Sequence, residues 1–429
     1  MSSIGNEIND KEAIKSNNNL SEEDIKILET LNLSNNNGEK NKNKLNVSLK
    51  QNENKMINSK ENQSKSKIEE EEDDKDKNKY IKKYKSNDSR LYGITFQSSK
   101  ENNIINVAVS SLNMNTNNNI SILSFSQEDI INEDDNINLS ENKNISNINK
   151  NENIINNNEI TLKSQIQCEF PVSSILFSPH EQNKNLLVST SDILRLYSYD
   201  NETENLSLKV AFQKRRKDYC GPLTACDWSH ANNSILGVCS VDTTCAILDL
   251  NKYAVKYMII AHDKEVYDIS LGQDEFTFMS TGADGSVSLF DSRQANSSCI
   301  IFETRDESPM TRLKWNLVNP NFILTVIVDK NEIYILDQRK LTSPYAILKV
   351  HTNVVNNAIW APQSNTNLIS VSDDKSALLW DIYCDSDQPE EYIMKYEAEN
   401  EIENVAWGDI TQNWVGIIDG NQAEILRIQ

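Results

Sequence analysis

Histidine, serine and aspartate occur together at two places in the sequence. The first set is His262, Ser280 and Asp284, and the second is His351, Ser370 and Asp374. A catalytic triad needs a nucleophile, a base and an orienting acid within hydrogen-bonding reach. Here the same residue types return at nearly the same spacing, which is typical of a structural network that repeats with the fold. We therefore predict that both sets satisfy buried polar groups, with Trp380 completing the second set and Phe290 replacing it in the first, where one donor must be missing.

No other pattern in the sequence predicts catalysis. The phosphate-binding loop G-x-x-x-x-G-K-[ST], the zinc motif H-E-x-x-H and the nucleophile elbow G-x-S-x-G are absent. The four histidines are widely separated and none of the seven cysteines forms a C-x-x-C pair, so a metal site has no local set of ligands. We predict that the protein is not an enzyme and binds no cofactor and no metal.

Charge and hydropathy narrow the classes of partner. The chain of 429 residues has a formal net charge of −21, whereas nucleic-acid binding needs a basic face. No stretch approaches the roughly 18 apolar residues of a membrane span. The odd number of cysteines in a long chain argues against a disulfide framework. These features predict a soluble intracellular protein that binds neither nucleic acid nor membranes.

Two segments are unusually rich in asparagine. Residues 1–78 contain 17 asparagines and residues 127–165 contain 12. Segments this polar bury too little apolar surface to offset the entropy lost on ordering. We predict that residues 1–78 are a disordered acidic tail and that residues 127–165 are a disordered low-complexity insertion within the domain formed by residues 79–429.

A short apolar segment ending in an aromatic or small residue occurs seven times. The copies are residues 94–96, 175–177, 226–228, 268–270, 313–315, 358–360 and 405–407. From the second copy onward, the steps between segment ends are 51, 42, 45, 45 and 47 residues. The first step is 81 residues and becomes 42 when the 39-residue insertion is left out. Because removing the insertion restores the period, it is best explained as a loop on an intact repeat.

Alternating strands across a tight turn follow three of these copies. In each turn an aspartate precedes an anchor residue by six positions: Asp242 and Leu248, Asp284 and Phe290, Asp374 and Trp380. Aspartate suits the turn because it can bond its own main chain. The apolar alternation on either side indicates half-buried antiparallel strands.

A period of about 40–45 residues with a Trp-Asp ending, here Trp380-Asp381, is the signature of WD40 repeats. The sequence therefore predicts an all-β fold, a seven-bladed WD40 β-propeller. Residues 79–84 should supply the outer strand of the last blade, whose inner strands come from residues 402–428. Truncation past about residue 79 should destabilise the ring, whereas loss of residues 1–70 should not.

Several strings after residue 220 are characteristic of one family. They are PLT at 222–224, SVDTTC at 240–245, AHDKEVYDI at 261–269, GADGSV at 282–287, AIWAP at 358–362 and EILRI at 424–428. On these strings the chain resembles the Transparent Testa Glabra-like WD-repeat family. The resemblance implies a non-catalytic scaffold: animal members bind dual-specificity tyrosine-regulated kinases, and plant members bridge transcription factors. We expect such a scaffold in the nucleus and cytoplasm.

Members of this family have also been grouped with substrate receptors of cullin-RING ubiquitin ligases, which implies a ligase adaptor as an alternative partner. That role usually involves a W-D-x-R motif. The sequence has relaxed versions, Phe290-Asp291-Ser292-Arg293 and Leu336-Asp337-Gln338-Arg339, in which the tryptophan is replaced. The two arginines could bind carboxylates or carbonyls of a partner, or each could pair with aspartates of its own blade. Asp291, Arg293, Asp337 and Arg339 are therefore the candidate partner-binding residues.

Overall fold

The strands of the computed structural model form seven sheets, each of four antiparallel strands. The structure describes residues 81–86, 89–99, 103–114, 118–126, 160–212, 221–294, 298–341, 343–383 and 392–428. All of these residues lie within one compact unit, residues 77–429. The tail predicted over residues 1–78 lies outside the described residues, as does the greater part of the insertion predicted over residues 127–165.

Six blades are built from consecutive strands, the first of which is innermost. Blade 1 contains β2 (Leu91–Phe96), β3 (Ile104–Ser111), β4 (Asn118–Ser126) and β5 (Thr161–Cys168). Blade 2 contains β6 (Ser174–Phe177), β7 (Leu186–Thr190), β8 (Leu194–Asp200) and β9 (Asn205–Phe212), with a short 3₁₀ turn at Glu181–Asn183. Blade 3 contains β10 (Leu223–Trp228), β11 (Ile235–Ser240), β12 (Thr244–Asp249) and β13 (Ala254–Ile260).

Blades 4 to 6 follow the same order. Blade 4 contains β14 (Val266–Leu271), β15 (Thr277–Gly282), β16 (Ser286–Asp291) and β17 (Ser298–Glu303). Blade 5 contains β18 (Met310–Trp315), β19 (Phe322–Ile327), β20 (Ile333–Asp337) and β21 (Ala346–Leu348). Blade 6 contains β22 (Val355–Trp360), β23 (Asn367–Ser372), β24 (Ser376–Asp381) and β25 (Met394–Glu397). The seven-bladed propeller predicted from the repeat is confirmed, and every one of the seven apolar segments lies on an innermost strand.

Blade 7 combines both ends of the described chain. Its three inner strands are β26 (Ile402–Trp407), β27 (Trp414–Asp419) and β28 (Gln422–Arg427), and its outer strand is β1 (Ile81–Lys85). β1 runs antiparallel to β28, with Ile81 opposite Leu426 and Lys85 opposite Gln422. The predicted closing strand is therefore confirmed for residues 81–84, whereas residues 79 and 80 lie outside the described residues.

The predicted insertion extends too far towards the C terminus. Residues 161–165, which the sequence analysis assigned to the insertion, belong to strand β5 and pair with β4. Five successive residues there read Thr-Leu-Lys-Ser-Gln, as polar as the asparagine-rich segment before them. An outermost strand has most of its side chains exposed and so tolerates polar residues, which is why composition alone misplaced this boundary.

Apolar side chains fill the space between neighbouring blades. Trp228 of blade 3, for example, packs in one cluster with Val188 of blade 2, and Trp380 of blade 6 packs with Phe322 of blade 5. Burial of such large side chains supplies the main favourable term for folding. Each blade is thus stabilised by its neighbours on both sides.

Polar side chains on or beside the innermost strands join every pair of adjacent blades. Each makes a hydrogen bond to the main chain of the next blade, and these side chains are Thr95, Ser173, Thr224, Asp268, Arg312, Asn356 and Asn404. The last of them donates from Asn404 Nδ2 to the carbonyl of Tyr92 in blade 1 at 2.8 Å. A belt of hydrogen bonds therefore crosses all seven junctions and closes the ring around its centre.

Candidate functional site

The first histidine set forms a connected network in blade 4. His262 Nδ1 lies 2.9 Å from Asp284 Oδ2 and 3.1 Å from Ser286 Oγ, and Nε2 lies 2.8 Å from Ser280 Oγ. His262 precedes β14, Ser280 lies on β15, and Asp284 lies in the turn before β16. Sequence reasoning missed Ser286. The signal for it was the aspartate two positions earlier, whose Oδ1 accepts the Ser286 main-chain N–H at 3.1 Å.

The second set repeats this arrangement in blade 6 and adds the tryptophan. His351 Nδ1 lies 2.9 Å from Asp374 Oδ2, and Nε2 lies 2.7 Å from Ser370 Oγ. Trp380 Nε1 donates to the same Ser370 Oγ at 2.8 Å. Ser376, the equivalent of the blade 4 serine, contacts His351 Nδ1 at 3.3 Å. All four predicted members of this network are therefore in contact.

The protonation states in blade 6 suit a fixed network. Burial lowers the pKa of His351 below its ordinary value, although the Asp374 carboxylate acts in the opposite direction. Burial also disfavours the charge on Asp374, but hydrogen bonds from Ser376 and His351 lower the pKa of this carboxyl to about 2. The imidazole is thus neutral near pH 7, with Nδ1 donating to Asp374 and Nε2 accepting from Ser370.

This geometry does not leave a nucleophile available to a substrate. Ser280 and Ser370 are completely buried on the second strands of their blades. Ser370 Oγ is engaged by both His351 and Trp380. In blade 4, Phe290 stacks on Phe278 with 5.1 Å between ring centroids and brings no N–H to Ser280. We therefore keep the interpretation that both networks fix the hairpin turns of their blades.

The candidate arginines are paired within their own blades. Arg293 Nε and Nη2 donate to the two carboxylate oxygens of Asp291 at 2.9 and 2.6 Å. Arg339 Nε and Nη2 donate to Asp337 at the same two distances. Hydrogen bonds from Arg339 hold the pKa of the Asp337 carboxyl below its ordinary value. The guanidinium side chains nevertheless remain 56% and 63% exposed, and Nη1 takes no part in either pairing.

The Asp-x-Arg turn is one form of a turn that blades 2 to 6 share. An aspartate at the end of the third strand accepts the main-chain N–H two residues later, at 2.9–3.0 Å. The pairs are Asp200 and Glu202, Asp249 and Asn251, Asp291 and Arg293, Asp337 and Arg339, and Asp381 and Tyr383. Tyr383 therefore occupies in blade 6 the position of the two arginines. Sequence reasoning missed this equivalence, although the literal Trp380-Asp381 pair marked the turn.

These turns lie on one side of the ring, which we call the loop face. It carries the described parts of the loops that join the first strand to the second in each blade and the third strand to the fourth in blades 2 to 6. Ser292 N donates to Phe276 O at 2.9 Å, and Ile382 N donates to Thr366 O at 3.2 Å, so the two kinds of loop are adjacent. The opposite side, the hairpin face, carries the turns between second and third strands, including Asp284 and Asp374.

An exposed aromatic cluster lies beside Arg339 on the loop face. Tyr345 and Tyr383 are both exposed and flank the buried ring of Phe322, at centroid distances of 4.9 and 6.1 Å. Leu341, in the same loop as Arg339, is also exposed. Tyrosine and arginine are the side chains most often found at the energetic centre of protein interfaces.

Charged side chains also line the centre of the ring, where sequence reasoning placed none. Arg312 Nη2 donates to Tyr92 Oη at 3.0 Å, and Lys314 Nζ lies 3.8 Å from Asp268 Oδ2. Burial lowers the pKa of Lys314, but the neighbouring Asp268 and Asp227 carboxylates raise it above its ordinary value. The two members of each pair come from different blades. These contacts therefore stabilise the ring in the same way as the belt of hydrogen bonds between blades.

The described residues contain neither a metal-binding cluster nor a membrane-spanning helix. No group of three or more histidine, cysteine, aspartate or glutamate side chains in the described ranges is placed to hold a metal ion. Within the same part of the chain, no helix has the length and apolar character that crossing a membrane requires.

Comparison with known proteins agrees with the fold and identifies relatives. The WD domain, G-beta repeat model matches residues 254–291 and 342–381. A chain of the COPII outer coat vertex on membranes has a similar fold, with a TM-score of 0.62 and 14% identity over 80% of this chain and 85% of that one. At this identity the likeness concerns the fold alone.

The sequence relatives are more specific. The chain is 33% identical over 246 residues to an uncharacterised WD repeat-containing protein of Schizosaccharomyces pombe, covering 52% of this chain and 56% of the relative. It is 35% identical over 277 residues to the DDB1- and CUL4-associated factor 7 homolog of Dictyostelium discoideum, covering 63% of this chain and 85% of the relative. The chain therefore belongs to the WD-repeat family of DDB1- and CUL4-associated factor 7.

Proposed function

We propose that the protein is a non-catalytic scaffold that assembles protein complexes. The observation that carries this proposal is its relation, over 85% of the relative's length, to a protein described as an associated factor. The buried histidine networks support a structural role for these two triad-like sets of residues. The rigid ring supports recognition through its loops, because loops on a fixed scaffold can vary without disturbing the core.

The partner we propose is a protein kinase of the dual-specificity tyrosine-regulated class, or a set of transcription factors. This proposal extends the resemblance to Transparent Testa Glabra-like proteins found in the sequence. We further propose that the protein acts in the nucleus and cytoplasm, where both classes of partner work.

A second candidate function is that of a substrate receptor for a cullin-RING ubiquitin ligase. Two observations favour it: the name of the Dictyostelium relative, and the pair of exposed arginines on neighbouring blades of the loop face. The aspartate partners hold Arg293 and Arg339 in fixed positions, so little side-chain entropy would be lost on binding a partner's carboxylate or carbonyl groups.

Affinity purification from the protein's own cells, followed by mass spectrometry, tests both functions. The forms compared are the wild type, the double variant Arg293→Ala plus Arg339→Ala, and the control Arg90→Ala. Arg90 is also an exposed arginine paired with a carboxylate, that of Glu403, but it lies at the opposite face. Recovery of the kinase or transcription factors by all three forms is the result expected of the scaffold.

Other outcomes separate the two functions. Recovery of ligase adaptor subunits by the wild type and the control, but not by the double variant, would establish the second function in place of the first. If no protein partner is recovered specifically by the wild type, the scaffold proposal fails.

A further inference from the structure

The outer strand of blade 3 exposes an apolar row of side chains. In β13, Val255 lies opposite Leu248, Met258 opposite Ala246, and Ile260 opposite Thr244. These partners are alternate residues of β12 and share one face of the blade. The row Val255, Met258 and Ile260 therefore lies on the face that packs against blade 2 nearer the centre. At the rim nothing in the described chain covers it, and the three side chains are 50%, 48% and 77% exposed.

The corresponding rows of the other outer strands are different. They contain Gln165 and Gln167 in β5, Glu303 beside Ile300 in β17, Lys395 and Glu397 in β25, and Lys83 and Lys85 in β1. In β9 the row contains two leucines, Leu206 and Leu208, of which Leu206 is buried. In β21 the row contains a single apolar residue, Ile347. Among the described outer strands, only β13 exposes three large apolar side chains on this face.

β13 is also a sheet edge that no charged side chain protects. It pairs with β12 on one side and with none of the described strands on the other. Natural proteins protect such edges with charged side chains, prolines or short strands, because the free main-chain groups otherwise pair with another chain. The one charged residue of β13, Lys256, lies at a bulge, and its Nζ lies 5.7 Å from the centre of the Phe276 ring in blade 4. The edge is therefore open along an apolar face.

The size of this surface decides between two occupants. A second copy of the chain pairing edge to edge through one seven-residue strand would bury much less than the roughly 1,200 Å² of a stable interface. An added peptide strand needs no such area, because its main-chain hydrogen bonds supply affinity and alternate side chains supply specificity. Charge also favours one orientation of the peptide. Lys252, just before the strand, is exposed, with its Nζ 3.4 Å from Asp249 Oδ2, and β13 itself contains no carboxylate.

We propose that β13 binds an extended segment of a partner protein as a fifth strand of blade 3. The segment has apolar residues at alternate positions, which lie beside Val255, Met258 and Ile260, and a carboxylate at the end nearest Lys252. This inference rests on the proposed scaffold function and assigns one docking surface to it. It is independent of Arg293 and Arg339, which lie in the turns of blades 4 and 5.

A designed peptide tests the inference on the full-length protein. The probe is a fluorescein-labelled peptide of about ten residues with valine at alternate positions, threonine between them and two aspartates at one end. Its binding is measured by fluorescence anisotropy to the wild type, to Met258→Lys and to the control Ile347→Lys, which adds the same charge to the outer strand of blade 5. We expect saturable binding that Met258→Lys weakens by about tenfold or more and that Ile347→Lys leaves unchanged.

Main-chain pairing is tested by two N-methylated forms of the probe, each methylated at one alternate set of amides. One set faces β13 and the other faces solvent, so one form should lose binding and the other should keep it. Hydrogen exchange over residues 254–260 should slow when the unmodified probe is bound.

Several results would overturn the inference. They are the absence of saturable binding, equal binding to Met258→Lys and the wild type, and equal binding of both methylated forms. Concentration-dependent self-association that Met258→Lys abolishes would assign the edge to a second copy of the chain instead. A protein that recovers its kinase from cells but never binds the probe would overturn this inference alone and leave the proposed function standing.

Discussion

At the scale of single residues, blade 7 contains a buried carboxyl group in an unfavourable environment. Asp419 and Glu424 are both completely buried on neighbouring strands of the closing blade. Lys83 Nζ lies 2.6 Å from Glu424 Oε1, and Tyr396 Oη donates to Glu424 Oε2 at 2.6 Å. Asp419 has only long contacts, of 3.4 Å, with Asn400. Burial and the neighbouring Glu424 carboxylate raise the pKa of Asp419 to about 6.

This raised pKa fixes the sign of a pH effect on stability. The folded protein binds a proton at Asp419 up to about pH 6, whereas the ordinary value of 3.8 applies after unfolding. The folded state therefore binds more protons between these values, and the stability contribution of Asp419 falls as pH rises from about 4 to about 6. Asp419→Asn should then raise the free energy of unfolding at pH 7.5 by about 3 kcal/mol, and the gain should vanish below about pH 4.

Urea unfolding of both proteins from pH 4 to pH 8 measures this prediction. Glu401→Gln, which removes an exposed carboxylate from the connection before blade 7, is the matched control and should change little. A gain from Asp419→Asn that is the same at every pH would contradict the explanation.

Trp380 carries a second prediction at this scale. Its N–H donates to the buried Ser370 Oγ, and loss of a buried hydrogen bond together with side-chain volume is costly. Trp380→Phe should therefore lower the free energy of unfolding by about 2–4 kcal/mol, measured in urea. Trp407→Phe removes a hydrogen bond from a more exposed indole to Gln412 O and should cost clearly less. Equal losses of unfolding free energy in the two variants would show that the hydrogen-bond network contributes nothing beyond the packing of the indole ring.

At the scale of strands, the closing strand β1 joins the N-terminal part of the described chain to blade 7. It pairs along its whole length with β28 and brings Lys83 to the buried Glu424. Its removal would break this ion pair and the main-chain hydrogen bonds to β28, and a typical hydrogen bond contributes about 1 kcal/mol. The strand also separates the last inner strands of blade 7 from solvent.

Deletion of residues 1–90 removes the hydrogen bonds of a five-residue strand and should therefore lower the free energy of unfolding by more than about 3 kcal/mol. Deletion of residues 1–70 retains β1 and should change it little. Thermal and urea unfolding of the two truncated proteins beside the full chain measure the difference. If both deletions had the same effect, ring closure by β1 would not be what stabilises the blade.

At the scale of the whole molecule, the sequence predicted the features that recur in each repeat. It did not predict the contacts that join one repeat to another. The innermost strands were recognised because their apolar segments return at a nearly constant period. The polar start of β5, at Thr161, was missed because an outer strand need not be apolar. Lys314 and Asp268 were missed as a pair because they lie on different blades and only the closed ring brings them together.

The candidate site was predicted to a similar extent. The residues that spacing grouped into the two histidine sets are in contact in the structure because the members of each set lie within one blade. The pairing of Arg293 with Asp291 was one of two stated alternatives, and only the geometry identified it. The exposed row on β13 could not be predicted because alternation does not tell which face of an outer strand is covered by its neighbour.

The pairing of β1 with β28 also has a consequence for how the protein is made. A ribosome synthesises β1 before any other described strand, and β28 after all of them. Blades 1 to 6 can form as their strands emerge, but blade 7 must wait for the last strand to leave the exit tunnel. Closure of the ring is therefore the meeting of the earliest and the latest of the described strands, and until it occurs β1 remains without its partner.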